Sequence, residues 1–251
     1  MKYLRVVFRF SRIMVLLVLA ASDFFFRIKL RGKSSSYLER TLWLQYWSKQ
    51  WLKIMNVKVT TRGTPPARGI LVSNHLSYMD VLVYGAVHPL VFVSKSEVKS
   101  WPVVGPYTQC AGTLYIRRQT KADVVRLGQD MVPVVNAGLV VTLFLEGTST
   151  NGESVLPFRS SLLASAEEHD WPVTASWIHY SMRSGSVRDE VHYWGDMTFF
   201  PHIMNLFSKP GFEAFVSFDE PLPPKLNRKE MALQLHERVC YLREEYMRNK
   251  T

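Results

Sequence analysis

Val72-Ser73-Asn74-His75-Leu76-Ser77-Tyr78-Met79-Asp80-Val81 is the stretch on which the reading of this chain turns. The apolar run leading into it, Gly69-Ile70-Leu71-Val72, predicts a buried strand. Small polar residues and a histidine follow. Asp80 comes five positions after His75, where the apolar spacing has become helical. With His75 at the strand end and Asp80 in the first helical turn, the carboxylate can fold back onto the imidazole. A carboxylate on one ring nitrogen fixes the tautomer and makes the other nitrogen a better base. This is the polar half of a catalytic triad without a protein nucleophile, and it suits a substrate that brings its own hydroxyl. Asp80 also has a purely structural reading, because a negative charge is favourable at any helix N-terminus. The rest of the chain has to decide between the two.

The chain has 251 residues, 47% of them hydrophobic, enough for a substantial core. Two cysteines, Cys110 and Cys240, make neither a disulfide framework nor a metal cluster, and the histidines have no ligand spacing, so no metal is expected. The net charge of +10 calls for an anionic partner. Seven of those ten charges lie in residues 1–34, where Lys2, Arg5, Arg9, Arg12, Arg27, Lys29, Arg31 and Lys33 face the single acid Asp23. These bases bracket an apolar run over 13–26, a pattern that anionic membrane surfaces attract. No nucleic-acid motif is present, and no nucleic-acid partner is expected.

As a helix, 13–26 reaches about 21 Å, short of the roughly 30 Å hydrocarbon core. A re-entrant or interfacial helix is therefore preferred to a crossing. A cleavable leader ending near Ala20-Ala21-Ser22 ranks lower, because no secreted-domain signature follows. Trp43, Trp47 and Trp51 recur every four residues over 37–55. The stripe is helical, and beside a basic apolar segment it is expected to face the membrane interface.

A boundary is expected near residue 60, with membrane-associated helices over 1–60 and the main domain over 61–251. Beyond it, apolar strands at 70–73, 91–94, 113–117, 140–145, 173–179, 190–194 and 213–217 alternate with helices at 78–87, 122–136, 162–169, 202–207 and 228–248. The class is α/β. Two further stretches carry chemistry. Gly112-Thr113-Leu114-Tyr115-Ile116-Arg117-Arg118 is a strand ending in two arginines that alternate faces, so one can reach a pocket with its anion-binding fork. The apolar strand Val140-Val141-Thr142-Leu143-Phe144-Leu145 delivers Glu146, then Gly147, which permits close backbone approach, then Thr148. Pro157-Phe158-Arg159-Ser160-Ser161 leads into a helix start suited to an anion.

In this order the stretches resemble the lysophospholipid acyltransferase family. Asn74, His75 and Asp80 match its Asn-His-x-x-x-x-Asp block. Gly112, Tyr115, Ile116 and Arg118 match its Gly-x-x-aromatic-Ile-x-Arg strand. Phe144, Glu146, Gly147 and Thr148 match Phe-Pro-Glu-Gly-Thr-Arg-Ser, and Pro172-Val173 loosely matches a proline-led strand. The resemblance spans about residues 60 to 220. It implies a mixed sheet flanked by helices, with an N-terminal membrane-associated helical hairpin. It implies acyl transfer from acyl-CoA or acyl carrier protein to a lysophospholipid hydroxyl, with no other cofactor. His75 would be the base and Asp80 its orienting partner. Asn74, Arg117, Arg118, Glu146, Gly147, Thr148 and Arg159 would serve substrate binding, and backbone N–H groups near Asn74 or the third block would hold the oxyanion. The expected location is the cytoplasmic face of the inner membrane.

Two departures bear on the acceptor. Leu145 stands where proline is usual, and Ser149 where an arginine commonly holds the glycerol phosphate. The principal expectation is 1-acyl-glycerol-3-phosphate. The residues 155–161, Tyr193-Trp194-Gly195-Asp196-Met197 and Pro201-His202 also resemble the branch that acylates lyso-ornithine lipid. A membrane-surface module or a thioesterase is the reading from another class, although no Gly-x-Ser-x-Gly elbow is present.

Overall fold

A computed structural model describes residues 2–31, 35–117, 120–223 and 225–249. The chain opens with helix α1 (Lys2–Arg27), a short 3-10 turn, and helix α2 (Tyr37–Met55), which begins in a capping box between Ser36 and Glu39. Strand β1 (Val57–Arg62) and strand β2 (Gly69–Ser73) follow, then helix α3 (Met79–Val87), strand β3 (Leu90–Lys95), helix α4 (Val104–Cys110) and strand β4 (Leu114–Ile116). Next come helix α5 (Lys121–Asn136), strand β5 (Val140–Leu143), helix α6 (Ala164–His169), strand β6 (Val173–Ser181), the single turn α7 (Val187–Glu190), helix α8 (Phe199–Ser208), strand β7 (Phe212–Pro221) and helix α9 (Arg228–Arg248).

The seven strands form one sheet in the order β1-β7-β6-β2-β5-β3-β4. All neighbours are parallel except β6 and β7. β2 and β5 are buried at every residue because helices cover both faces, which explains their unbroken apolar runs. On one face Ile70, Val141, Val134 and Leu235 belong to a core closed by α5 and α9. On the other, Leu71, Val140, Val83 and Leu206 pack with α1, α2, α3 and α8. The mixed α/β sheet expected from the sequence is present. The segment 190–194, expected as a strand, is the end of α7 and a loop. There the Ser186 hydroxyl caps a helical turn, and β-prone residues Val191, Tyr193 and Trp194 follow it without a sheet partner.

The N-terminal helices depart from the expectation chiefly in what the tryptophans face. α1 and α2 do fold back on each other, with Ala20 opposite Trp43 and Arg9 opposite Met55. No helix among the described residues is long and apolar enough to cross a membrane. The tryptophan stripe faces α1, not a lipid surface. Trp43 and Trp51 are buried, and the Trp43 and Trp47 indoles donate to the Ala20 carbonyl at 3.1 Å and to Asp23 at 2.9 Å. Helical spacing defines a face but not what covers it, and here the apolar side of α1 was the cover. The boundary expected near residue 60 falls inside β1, which pairs with β7 from Val57 to Arg62.

The bases of α1 also divide. Arg9 is buried, and its guanidinium donates to the carbonyls of Met55, Phe207, Lys209 and Pro210, while Arg5 donates to Ser208. Those carbonyls end α2 and α8, where helix dipoles concentrate negative potential. These two charges serve the fold and are not free for an anionic surface.

Candidate active site

β2 and β5 are parallel neighbours, so their C-terminal ends open on the same edge of the sheet, where ligands of such folds bind. His75 lies two residues past β2. Its Nδ1 is 2.7 Å from Oδ2 of Asp80, which sits in the first turn of α3. The same Oδ2 accepts the backbone N–H of Leu76 at 2.7 Å and of Ser77 at 3.1 Å. Oδ1 accepts the Tyr180 hydroxyl at 2.6 Å. Asp80 is fully buried, and both of its oxygens accept hydrogen bonds. Oδ2 of Asp80 accepts a hydrogen bond from Nδ1–H, which leaves the lone pair on Nε2. The ring stacks on Phe144 at 4.1 Å between centroids, and His75 remains partly exposed.

The third sequence block braces the first. β5 ends at Leu143, two residues sooner than expected, and the chain turns so that Gly147 N–H donates to the Phe144 carbonyl at 3.2 Å. Gly147 has φ +81°, a conformation that favours glycine. Glu146 is buried, with one carboxylate oxygen taking the His75 N–H at 2.7 Å and the other the Leu156 N–H at 2.8 Å. Burial raises its pKa above the usual carboxylate range, and the Leu156 and His75 amides oppose that shift. Thr150 N–H donates to the His75 carbonyl at 2.9 Å. Glu146 and Thr150 therefore fix the His75 backbone on both sides. Asn74 is also committed: its side-chain amide exchanges hydrogen bonds with the backbone of Ile178 at 3.1 and 2.9 Å, which ties the turn to β6.

The other expected site residues spread around this core. Gly147 and Arg159 line one cleft with Ile116, Phe144, Leu145 and Ser161. Arg159 and Thr148 are exposed. Arg117 is exposed just past β4, which ends at Ile116, so the strand alternation expected for the two arginines does not reach them. Arg118 lies outside the described residues. The amides of His75, Leu76 and Ser77 all have acceptors, whereas those of Thr148 and Ser149 have none among the described residues. A larger cavity of ≈ 260 Å³ lies at the opposite edge of the sheet, lined by Arg68, Trp171, Pro172 and Leu222, and includes none of these residues.

Sequence reasoning missed a second set of contacts behind the turn. Tyr78 OH donates to His202 Nδ1 at 2.9 Å, His202 Nε2 donates to the His192 carbonyl at 2.9 Å, and His192 Nδ1 donates to the Asn151 carbonyl at 2.7 Å. Burial lowers the pKa of both histidines. Neutral imidazoles are thus favoured in the fold. Their contribution to stability is complete above the unfolded value of about 6.5 and is lost as pH falls below it. The melting temperature is expected to be flat from neutral pH upward and to fall below about pH 6.5. In His202→Gln that acid slope should be shallower; an unchanged slope would remove His202 from the account.

The sequence profile described as Acyltransferase matches residues 56–179, the span that holds both braced blocks. A lyso-ornithine lipid O-acyltransferase from Pseudomonas aeruginosa is 32% identical over 244 residues, covering 95% of this chain and 93% of that protein. The chain belongs to the acyltransferase family. A 1-acyl-sn-glycerol-3-phosphate acyltransferase from Neisseria gonorrhoeae is 35% identical over 118 residues, covering 47% of this acyltransferase and 46% of its relative. Among solved structures, a 1-acyl-sn-glycerophosphate acyltransferase from Thermotoga maritima superposes with a TM-score of 0.69 at 20% identity, covering 98% of this chain and 96% of that one. At that identity the match concerns the fold, and it includes α1 and α2 as well as the sheet.

Proposed function

We propose that this acyltransferase moves a fatty acyl chain from an acyl thioester to the free hydroxyl of a lysolipid, with His75 as general base. The carrying observation is the His75–Asp80 hydrogen bond at 2.7 Å, with Asp80 buried and His75 partly open. Nε2 takes the acceptor's hydroxyl proton as the oxygen attacks the thioester carbonyl. The carbon–sulfur bond then breaks, and the leaving thiolate receives the proton from the imidazolium. No acyl-enzyme is formed. The Thr148 and Ser149 amides, following the Gly147 turn, are the donors free to meet the developing oxyanion, and Arg159 faces the same cleft for the polar head. Acyl-CoA or acyl carrier protein supplies the chain, and no further cofactor is involved.

The acceptor we infer is a lyso-ornithine lipid. The full-length relative bears that name, whereas the glycerol-phosphate relative aligns over less than half of the chain. Ser149 stands where a phosphate-holding arginine would add a cationic fork, which also suits an acceptor without a phosphomonoester. 1-Acyl-glycerol-3-phosphate is the second reading, supported by that shorter match.

The enzyme works at a membrane surface, on the cytoplasmic side where acyl thioesters are available. Leu4, Val7, Phe8, Val15, Val18 and Phe26 are exposed on α1, with exposed Lys2 and Arg12 beside them. Apolar side chains bordered by exposed bases fit an anionic interface. The test is the purified full chain with labelled acyl-CoA or acyl carrier protein, and lyso-ornithine lipid or lysophosphatidate presented in anionic or zwitterionic vesicles. Acylated ornithine lipid should dominate, and turnover should fall in zwitterionic vesicles. Dominant phosphatidate would select the second acceptor. Free fatty acid without acceptor product would overturn acyl transfer, and equal rates in both vesicles would overturn the electrostatic docking.

A further inference from the structure

We propose that Tyr180 is a positioning residue of this reaction, acting on His75 through Asp80. The inference rests on the proposed role of His75 and extends it to a side chain one hundred residues beyond Asp80.

β6 runs parallel to β2 with Ser176 beside Ser73, and continues through Ser181. The extension carries Ile178 alongside Asn74 and Tyr180 over the first turn of α3. The Tyr180 hydroxyl is 2.6 Å from Asp80 Oδ1, and both residues are almost completely buried. The phenol donates and the carboxylate accepts. Burial and the neighbouring Asp80 raise the tyrosine pKa well above its ordinary value.

The two oxygens of Asp80 have different surroundings. Oδ2 receives three donors: the His75 ring and the amides of Leu76 and Ser77. Among the described residues Oδ1 receives only Tyr180. Tyr180 is therefore what fixes the rotation of the carboxylate from its far side and keeps Oδ2 directed at Nδ1. It also keeps Oδ1 engaged by a second donor when His75 becomes cationic. The transferred proton then stays on the imidazole, from which the leaving thiolate can take it. Other titratable groups face the pair: Glu146 past β5, Tyr78 and Tyr84 at α3, and His192 past α7. Each is retained in the variants below, so a change in pH dependence reports the one bond altered.

The experiment compares full-length wild type, Tyr180→Phe, Asp80→Asn, the double variant, and protein carrying 3-fluorotyrosine at position 180. Acyl transfer is followed from pH 5 to 9, with melting temperature and circular dichroism measured on the same samples. In Tyr180→Phe, kcat should fall about tenfold with KM for both substrates little changed. Its acid limb should move upward by about one pH unit, because the ionised pair has lost a donor. Fluorotyrosine is a stronger donor of nearly the same shape, and it should move the limb downward. In the Asp80→Asn background, Tyr180→Phe should cost little more.

A merely packing role would lower the active fraction at every pH, leave the limb in place and act additively with Asp80→Asn. That result overturns the proposal, as does an unshifted limb in the fluorotyrosine protein, which also covers a Tyr180→Phe chain that does not fold. Wild type without acyl transfer would instead be a failure of the proposed function.

Discussion

His75→Ala is expected to lower kcat for acyl transfer by about a thousandfold while leaving the protein folded. General base catalysis contributes about 10²–10⁴ in rate. Ser77 lies close in sequence, but its side chain is fully buried and so is not open to substrate as a nucleophile. The fold should survive because Asp80 keeps three of its four donors: Leu76 N–H, Ser77 N–H and Tyr180 OH. Glu146 binds the backbone of residue 75, not its ring, so that brace persists in alanine. The lost contacts are the bond to Nδ1 and stacking on Phe144, together about 1–3 kcal/mol. Initial rates with the labelled donor, set beside thermal melts, separate the two effects. A variant that is folded and retains more than a tenth of wild-type turnover would exclude His75 as the base.

The His75–Asp80 pair was readable because both partners lie within five residues and the strand-to-helix change falls between them. The central strands were readable for a related reason: β2 and β5 are covered on both faces, and that leaves continuous apolar runs. α9 matches its expected range 228–248, and its N-terminus does carry a local signal, Asn227 and Glu230 in a capping box. Long-range determinants left no such trace. Tyr180 acts through the relative lengths of β6 and β2, and nothing near residue 180 announces Asp80. α4 was missed because Gly105 and Pro106 argue against a helix. Gly105 is needed there, since a Cβ would fall 2.2 Å from the Lys99 carbonyl oxygen. Glu146 was expected at the ligand, but the structure engages both its oxygens with backbone amides, an arrangement a sequence motif does not distinguish from substrate contact.

The same ambiguity attends the basic residues of α1, and Arg9→Leu resolves it with the largest expected effect on stability. Counting charge treated Arg9 like its neighbours on a membrane-seeking segment. Its guanidinium instead holds the carbonyls of Met55, Phe207, Lys209 and Pro210, at the ends of α2 and α8. Burial, and secondarily Arg5, push its pKa down to about 10, so it remains charged at neutral pH. Leucine keeps much of the packing but leaves those carbonyls without the donor and removes a cation from two helix C-termini. The expected cost is about 3–5 kcal/mol, or a fall in melting temperature of roughly 10 °C. Arg9→Lys should fall between, since one ammonium can satisfy some of the four acceptors but not span them. A second readout tells the fold role from a membrane role. At a temperature where Arg9→Leu is still folded, its binding to anionic vesicles should match wild type, because the exposed face of α1 and the bases Lys2 and Arg12 are untouched. If Arg9→Leu instead melts like wild type and loses vesicle binding, Arg9 serves the lipid surface and the docking of α1 onto α2 and α8 has some other basis.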